Sequence, residues 1–375
     1  MSKIHNTNYI LFCALLLLFM ASALVLNNTG FAVVGAILGL WTLISGIYTY
    51  KTEKIVNVPD QLYFFIFFTL YILIAINYWE VSYDYKDIIA TYLFFIIIPL
   101  LLVSLDYTYP SFCVAAHHAL NAFFVIFSVL MFGHALLYGV DWERSYLFNN
   151  GMLHKNGISS IYEIVYIYVL YSKAKTSKNL LFYSIILTGG ICLIFIGSKT
   201  SIVLAFIFTL ALFSKILFFF LLILILVVLT YLVFFLNDIN TSPFRTASFR
   251  GMLWEQAWEE ITFSKTSLLL GNGPGTFISK IKEYGLFKIE GTHNFILQIL
   301  HNFGIVGLGL FSKYFYRIAR QFKIFSSPAA AAFWMFNMHA LFDVGWVKGA
   351  GFFASLFFGL AIAEAKKQVR HEELS

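Results

Sequence analysis

The sequence predicts an all-α, polytopic membrane protein with about twelve transmembrane helices and one large loop. Three observations carry this. The 375 residues are 60% hydrophobic and only 12% charged, against about 25% charged in soluble domains. Apolar runs long enough for a membrane helix, ~17–25 residues, recur along the chain with short polar joins between them. One segment, 237–292, interrupts that rhythm, and it far exceeds the ~12–15 residues beyond which structureless loops are uncommon.

The candidate spans are 9–26, 30–50, 61–79, 88–105, 112–138, 158–172, 180–197, 200–214, 216–236, 293–312, 328–345 and 347–364. Ala21-Ser22-Ala23 has the small residues of a cleavage site. The apolar run continues through Leu24-Val25-Leu26, so the first span reads as an uncleaved anchor. No fixed-period repeat or soluble domain interrupts the series, and residues 1–375 read as a single integral membrane domain.

Orientation follows from lysine and arginine in short joins, which favour the cytoplasmic side. Lys51, Lys54, Lys173, Lys175, Lys178, Lys215, Lys313, Arg317, Arg320 and Lys323 fall on one side of the series, together with both termini. The 139–157 loop, the 198–200 join and the 237–292 loop then face outward. No basic cluster lies on a soluble domain, so nucleic acid is not an expected partner; membrane lipids are. Cys13, Cys113 and Cys192 all lie in apolar runs without metal-ligand spacing and read as small core residues.

Within the large loop, Trp254, Ala257, Trp258 and Ile261 recur with helical spacing and predict a short amphipathic helix over 251–262. Its tryptophans suit a membrane interface. Arg245 and Arg250 precede or open it, and a guanidinium grips phosphate oxygens bidentately. A solvated charge or a headgroup contact is the plainer use. Gly271 to Phe277 is a glycine-rich run without the Gly-Lys-Ser/Thr ending of a nucleotide loop; it reads as a tight turn before a helix near 276–283.

Thr292-His293-Asn294 then leads into an apolar helix. An imidazole there can act as a general base near neutral pH. Asn294, Gln298 and Asn302 follow at intervals of four, with His301 beside them, and polar stripes in spans face the bundle interior. Two further outward cations are Arg144, in the 139–157 loop, and Lys199, in the 198–200 join. Four cations beside one histidine match a diphosphate and a base. Glu163 and Asp343 sit inside spans, where acids are costly and mark either function or a paired structural site.

The order Arg250, Trp254, Gly271 to Phe277, then His293-Asn294 opening a span that ends in Gly-Ile-Val-Gly resembles the O-antigen ligase and polymerase family of integral membrane glycosyltransferases. The resemblance is best over about 197–345, and Asp343-Val344-Gly345-Trp346 resembles that family's acidic element. It implies transfer of a glycan from undecaprenyl diphosphate to an acceptor hydroxyl at the outer face of a bacterial inner membrane, with 237–292 as a periplasmic loop. For a ligase the acceptor is lipid A-core; for a polymerase it is the lipid-linked glycan. No cofactor and no metal are implied. His293 matches the base and Arg250 the loop arginine, with Arg144, Lys199, Arg245, Asn294 and Asp343 on the substrate side. Lys199 stands where ligases commonly carry Arg, which keeps the charge but loses the fork. A transporter or flippase is the rival from another class. It predicts related halves and broken helices, neither of which the sequence displays.

Overall fold

A computed structural model describes residues 59–79, 83–100, 102–103, 112–138, 155–176, 178–235, 245–277, 291–342 and 348–374. Predicted spans 9–26 and 30–50, and the 139–154 part of the outer loop, lie outside the described residues. Among the described residues the chain is helical throughout, without a strand. Its helices are α1 (Pro59–Ala75), α2 (Tyr85–Tyr92), α3 (Phe112–Tyr138), α4 (Lys155–Thr176), α5 (Leu180–Ile196), α6 (Lys199–Ala211), α7 (Lys215–Phe235), α8 (Arg245–Thr262), α9 (Lys265–Leu270), α10 (Phe295–Gln321), α11 (Pro328–Ala340) and α12 (Lys348–Leu374).

Helix α4 is the hub. Every residue from Ile158 to Tyr171 is buried, because α3, α5, α6, α11 and α12 all pack against it. Its tyrosines give that apolar cylinder a register. Tyr162 pairs with the Ser128 hydroxyl at 2.8 Å, Tyr166 with that of Thr209 at 3.0 Å, and Tyr171 donates to the Phe208 carbonyl at 2.7 Å. Across the helix, α11 presents Ala329 to Ala332, all fully buried. Such small residues allow close helix approach, which in an apolar setting is the main source of packing energy. Cys192 is buried as predicted, its thiol donating to the Ser128 carbonyl at 3.9 Å.

Helix α2 continues through a π-helical turn, Leu93–Ile97. Such turns shift the hydrogen-bond ladder locally. Tyr314 of α10 donates to the Phe95 carbonyl at 2.6 Å, which ties the turn to the bundle core.

Helices stand at each described candidate span, but not all have a span's length. Phe112–Leu137 and Phe295–Gln321 are long and apolar enough to cross a membrane. Helices α6 and α11, predicted as spans 200–214 and 328–345, have 13 residues each. At ~1.5 Å per residue they rise about 20 Å, short of a ~30 Å hydrocarbon core. Helix α6 gives way to a turn at Leu212-Phe213, and the Ser214 hydroxyl accepts from Leu217 N–H in the next helix. Helix α11 starts sharply, with Pro328 in its first turn and the Ser327 side chain accepting from Ala330 N–H.

Two contacts fix which ends lie together. Lys175 Nζ donates to the Ser326 carbonyl at 3.4 Å, and Lys178 Nζ to the Leu212 carbonyl at 3.1 Å. The α4–α5, α6–α7 and α10–α11 joins therefore share one end of the bundle. The start of α4 and the α5–α6 join with Lys199 lie at the other, and the Asn294 side chain ties the start of α10 to the end of α11.

Glu163, on the buried helix α4, has a partner that its place in the sequence does not reveal. Its Oε1 lies 2.6 Å from His339 Nδ1 of α11, and both side chains are buried. Removing one member of a buried pair typically costs about 3–5 kcal/mol, because the other is left uncompensated. Glu163→Ala is therefore expected to lower the detergent-solubilised melting temperature sharply, and Glu163→Gln, which keeps a hydrogen-bonding group, much less. Equal melting of wild type and Glu163→Ala would rule out this pair as a structural tie.

Candidate functional site

The site assembles where the large loop returns to the bundle. Helix α8 is longer than predicted, and its buried face differs. Leu253, Ala257 and Ile261, at intervals of four, are fully buried with Phe277, while Trp258 is 54% exposed. Of the predicted stripe, Trp254, Ala257 and Ile261 turn to this cluster, and Trp258 lies on the exposed side. Gln256 is turned inward instead because it has a polar partner: its Nε2 donates to Glu260 Oε1 at 2.9 Å.

Helix α9 is absent from the sequence reading. Ser264 caps it, accepting from Ser267 N–H at 2.9 Å. The glycine-rich run then turns as predicted, with positive φ at Gly271, Gly273 and Gly275. At Gly271 the positive φ of 77° is joined by a steric demand, since a Cβ would collide with the backbone of Asn302 and Phe303. The helix expected near 276–283 falls largely on 278–290, outside the described residues.

What the run docks onto is a break in α10. Gly304 has φ 62° and ψ −169°, far from helical values. The carbonyls of His301 and Asn302 accept from Asn272 N–H at 2.8 Å and Gly273 N–H at 3.2 Å. The Tyr71 hydroxyl lies 2.7 Å from the carbonyls of both Leu270 and Phe303, and Trp79 Nε1 donates to Leu270 at 2.8 Å. The loop is thereby bonded, backbone to backbone, into the interrupted helix. The sequence reading expected no broken helix; this one corrects it. A lone glycine in an apolar helical pattern does not announce a break.

His293 stands at the mouth of α10. Its φ of 51° is the one positive value for a non-glycine among the described residues, and such strain concentrates at functional sites. The Thr292 hydroxyl donates across it to the Asn294 carbonyl at 2.8 Å. Asn294 then caps α10, accepting from Leu297 N–H at 3.0 Å, while its Nδ2 donates to the Leu341 carbonyl at the end of α11. Both of its polar atoms are used structurally, so it holds His293 in place and its role here is that of a cap. The His293 imidazole is half-buried, open enough to meet a substrate hydroxyl.

The other predicted residues divide three ways. Arg250 lies half-buried on α8, which packs on α10. Lys199 is exposed in the first turn of α6. Arg245 is the first residue of α8. Arg144 and Asp343 lie outside the described residues. The structure thus places His293 and Asn294 at the start of α10, Arg250 on a helix that packs against α10, and Lys199 at the start of α6. Among the described residues, no group of three or more His, Cys, Asp or Glu side chains is arranged to hold a metal ion.

A partly buried pair links α8 to α10. His301 Nε2 donates to Glu260 Oε2 at 3.0 Å, with the imidazole 1% exposed and the carboxylate 24%. Phe277 packs edge-on against the imidazole. Sequence spacing placed His301 on a polar stripe but gave no partner 41 residues away. The available signal was the amphipathic α8 itself, whose Gln256 and Glu260 share a face one turn apart. Compared with models of known families and with curated proteins, the chain matches none.

Proposed function

We propose that the protein is an integral membrane glycosyltransferase of the O-antigen ligase type. It transfers a glycan from undecaprenyl diphosphate to a lipid A-core hydroxyl at the periplasmic face of the inner membrane. The observation that carries this reading is the docking of the loop into broken helix α10, which holds α8, with Arg250, beside the helix that His293 opens. In the reaction the acceptor oxygen attacks the anomeric carbon, and His293 takes the hydroxyl proton as that bond forms. The bond from the anomeric carbon to the diphosphate breaks with inversion, and undecaprenyl diphosphate leaves. Arg250 and Lys199, with Arg144 and Arg245, meet the charge that grows on it.

The membrane setting is supported by side chains facing away from the core. Leu136, Leu180 and Ile216 are 86%, 83% and 84% exposed, and they belong to an apolar surface spread over α1, α3, α5, α6 and α7. A soluble protein rarely shows so much. In the twelve-span reading the short helices α6 and α11 are incomplete crossings, α11 deep in the bundle and α6 with Val203 and Phe206 on its apolar surface. A reporter fused after residue 265 is expected outside the cytoplasm and one after residue 176 inside; both on one side would contradict that topology.

The polymerase reading shares donor and chemistry. Deleting the gene and resolving the lipopolysaccharide by gel separates them: a core without polymeric glycan means ligase, a core with one repeat unit means polymerase. The break in α10 is the observation that favours a transporter, since broken helices there expose backbone to bind substrate. Here the freed carbonyls are taken by Asn272, Gly273 and Tyr71, so the break serves docking. Purified protein with lipid-linked donor and acceptor is accordingly expected to react in chelator and without ATP. An absolute need for ATP would return the transporter reading to the front.

A further inference from the structure

A run of side-chain contacts links the residue before His293 to the helix of Arg250. Thr292 N–H donates to Gln298 Oε1 at 2.8 Å, and Gln298 Nε2 donates to Asn302 Oδ1 at 3.0 Å. His301 Nδ1 lies 3.4 Å from that same oxygen, and its Nε2 donates to Glu260 Oε2 at 3.0 Å. Glu260 Oε1 accepts from Gln256 on the next turn of α8. The run uses the stripe of α10 and the inner face of α8, and it ends one residue from the strained backbone at His293.

We propose that Glu260 and His301 are positioning residues: their partly buried pair sets the distance and rotation of α8 relative to the mouth of α10. The helix carrying the anion-binding Arg250 and the helix presenting His293 are then held in one geometry toward a lipid diphosphate. The functional half rests on the glycan-transfer reading; the geometric half does not. A carboxylate–imidazole pair suits this task because it is short and directional, and because breaking it leaves a polar group in a dry setting. Gln256 holds the carboxylate and Phe277 packs edge-on against the ring, so neither rotates freely.

The test pairs distance measurement with kinetics on the full chain. Spin labels at Glu255→Cys on α8 and Ile296→Cys on α10, with the native cysteines replaced, report the inter-helix distance. A narrow distribution is expected in the parent, a broadened one in Glu260→Ala, and recovery in Glu260→Gln, which can still accept from His301. With lipid-linked donor, Glu260→Ala is expected to lower kcat/KM roughly 10²-fold, the scale of a ~1 Å misplacement, with the acceptor KM unchanged. Glu260→Ala with His301→Ala is expected to lose little more than either alone, because both remove one contact. Where Glu260→Ala does not fold, His301→Asn carries the same comparison. A distribution that stays narrow overturns the proposal. So does a broadened one with unchanged transfer. A wild-type protein that transfers no glycan refutes the transfer reading alone, and the distances then decide the pair: broadening rescued by Gln supports it, and a narrow distribution overturns it.

Discussion

His293→Ala is expected to lower turnover by roughly 10²–10⁴-fold, the usual share of general acid–base catalysis, while binding of the lipid-linked donor changes little. The imidazole acts on the acceptor hydroxyl, so its loss is felt as the new bond forms. Arg250→Ala is the contrast. Diphosphate charge exists before the transition state and grows within it, so donor binding and turnover both weaken, and Arg250→Lys recovers only part for want of the fork. Steady-state rates with separately measured donor affinity distinguish the two patterns. Full activity of folded His293→Ala would remove the general-base role and turn attention to Asp343 or Glu290.

Gly304→Ala is expected to damage both stability and transfer. Its backbone, φ 62° and ψ −169°, lies in a region reached almost only by glycine, and strain of this kind costs about 1–3 kcal/mol. A Cβ would in addition collide with the backbone of Leu269, which cannot swing aside as a side chain can. The chain's escape is to straighten α10, which expels the Asn272 and Gly273 N–H groups from their acceptors and frees the loop. Gly309→Ala is the control, since a Cβ there meets nothing within 4 Å and alanine favours a helix by up to about 1 kcal/mol. Melting temperature and protease cleavage within 245–277 are the measurements. A Gly304→Ala protein as stable and as resistant as Gly309→Ala would show that the break is not needed for docking.

The helical class, the position of nearly every described helix and the mouth of α10 were legible in the sequence, because hydropathy and capping act over a few neighbouring residues. His293-Asn294 was readable for that reason: asparagine caps the helix that the histidine precedes. The ends of α6 and α11 were not, because the turns that stop them are themselves apolar, at Leu212-Phe213 and Leu341-Phe342. The face of α8 that is buried is chosen by what α10 offers, and His301 calls for Glu260. The pairs Glu260–His301 and Glu163–His339 join residues far apart in the chain, and only the register of packed helices brings them within reach. Arg250, Lys199 and His293 were separately visible as outward polar residues; the packing of α8 on α10 and the tie from Asn294 to the end of α11 were not, because both are long-range contacts.

The hydroxyl of Tyr71 stands 2.7 Å from two carbonyls, Leu270 on the loop side and Phe303 beside the break. A hydroxyl has a single proton to give, so the two acceptors share it in alternation, and a small rotation about one bond passes it across. The amide contacts from Asn272 and Gly273 fix the same two segments, so this proton changes partners within a seam that is otherwise held in register. Tyr71→Phe would take this donor from Phe303 while Leu270 keeps the one from Trp79, so the seam loses its shared proton on the side of the break.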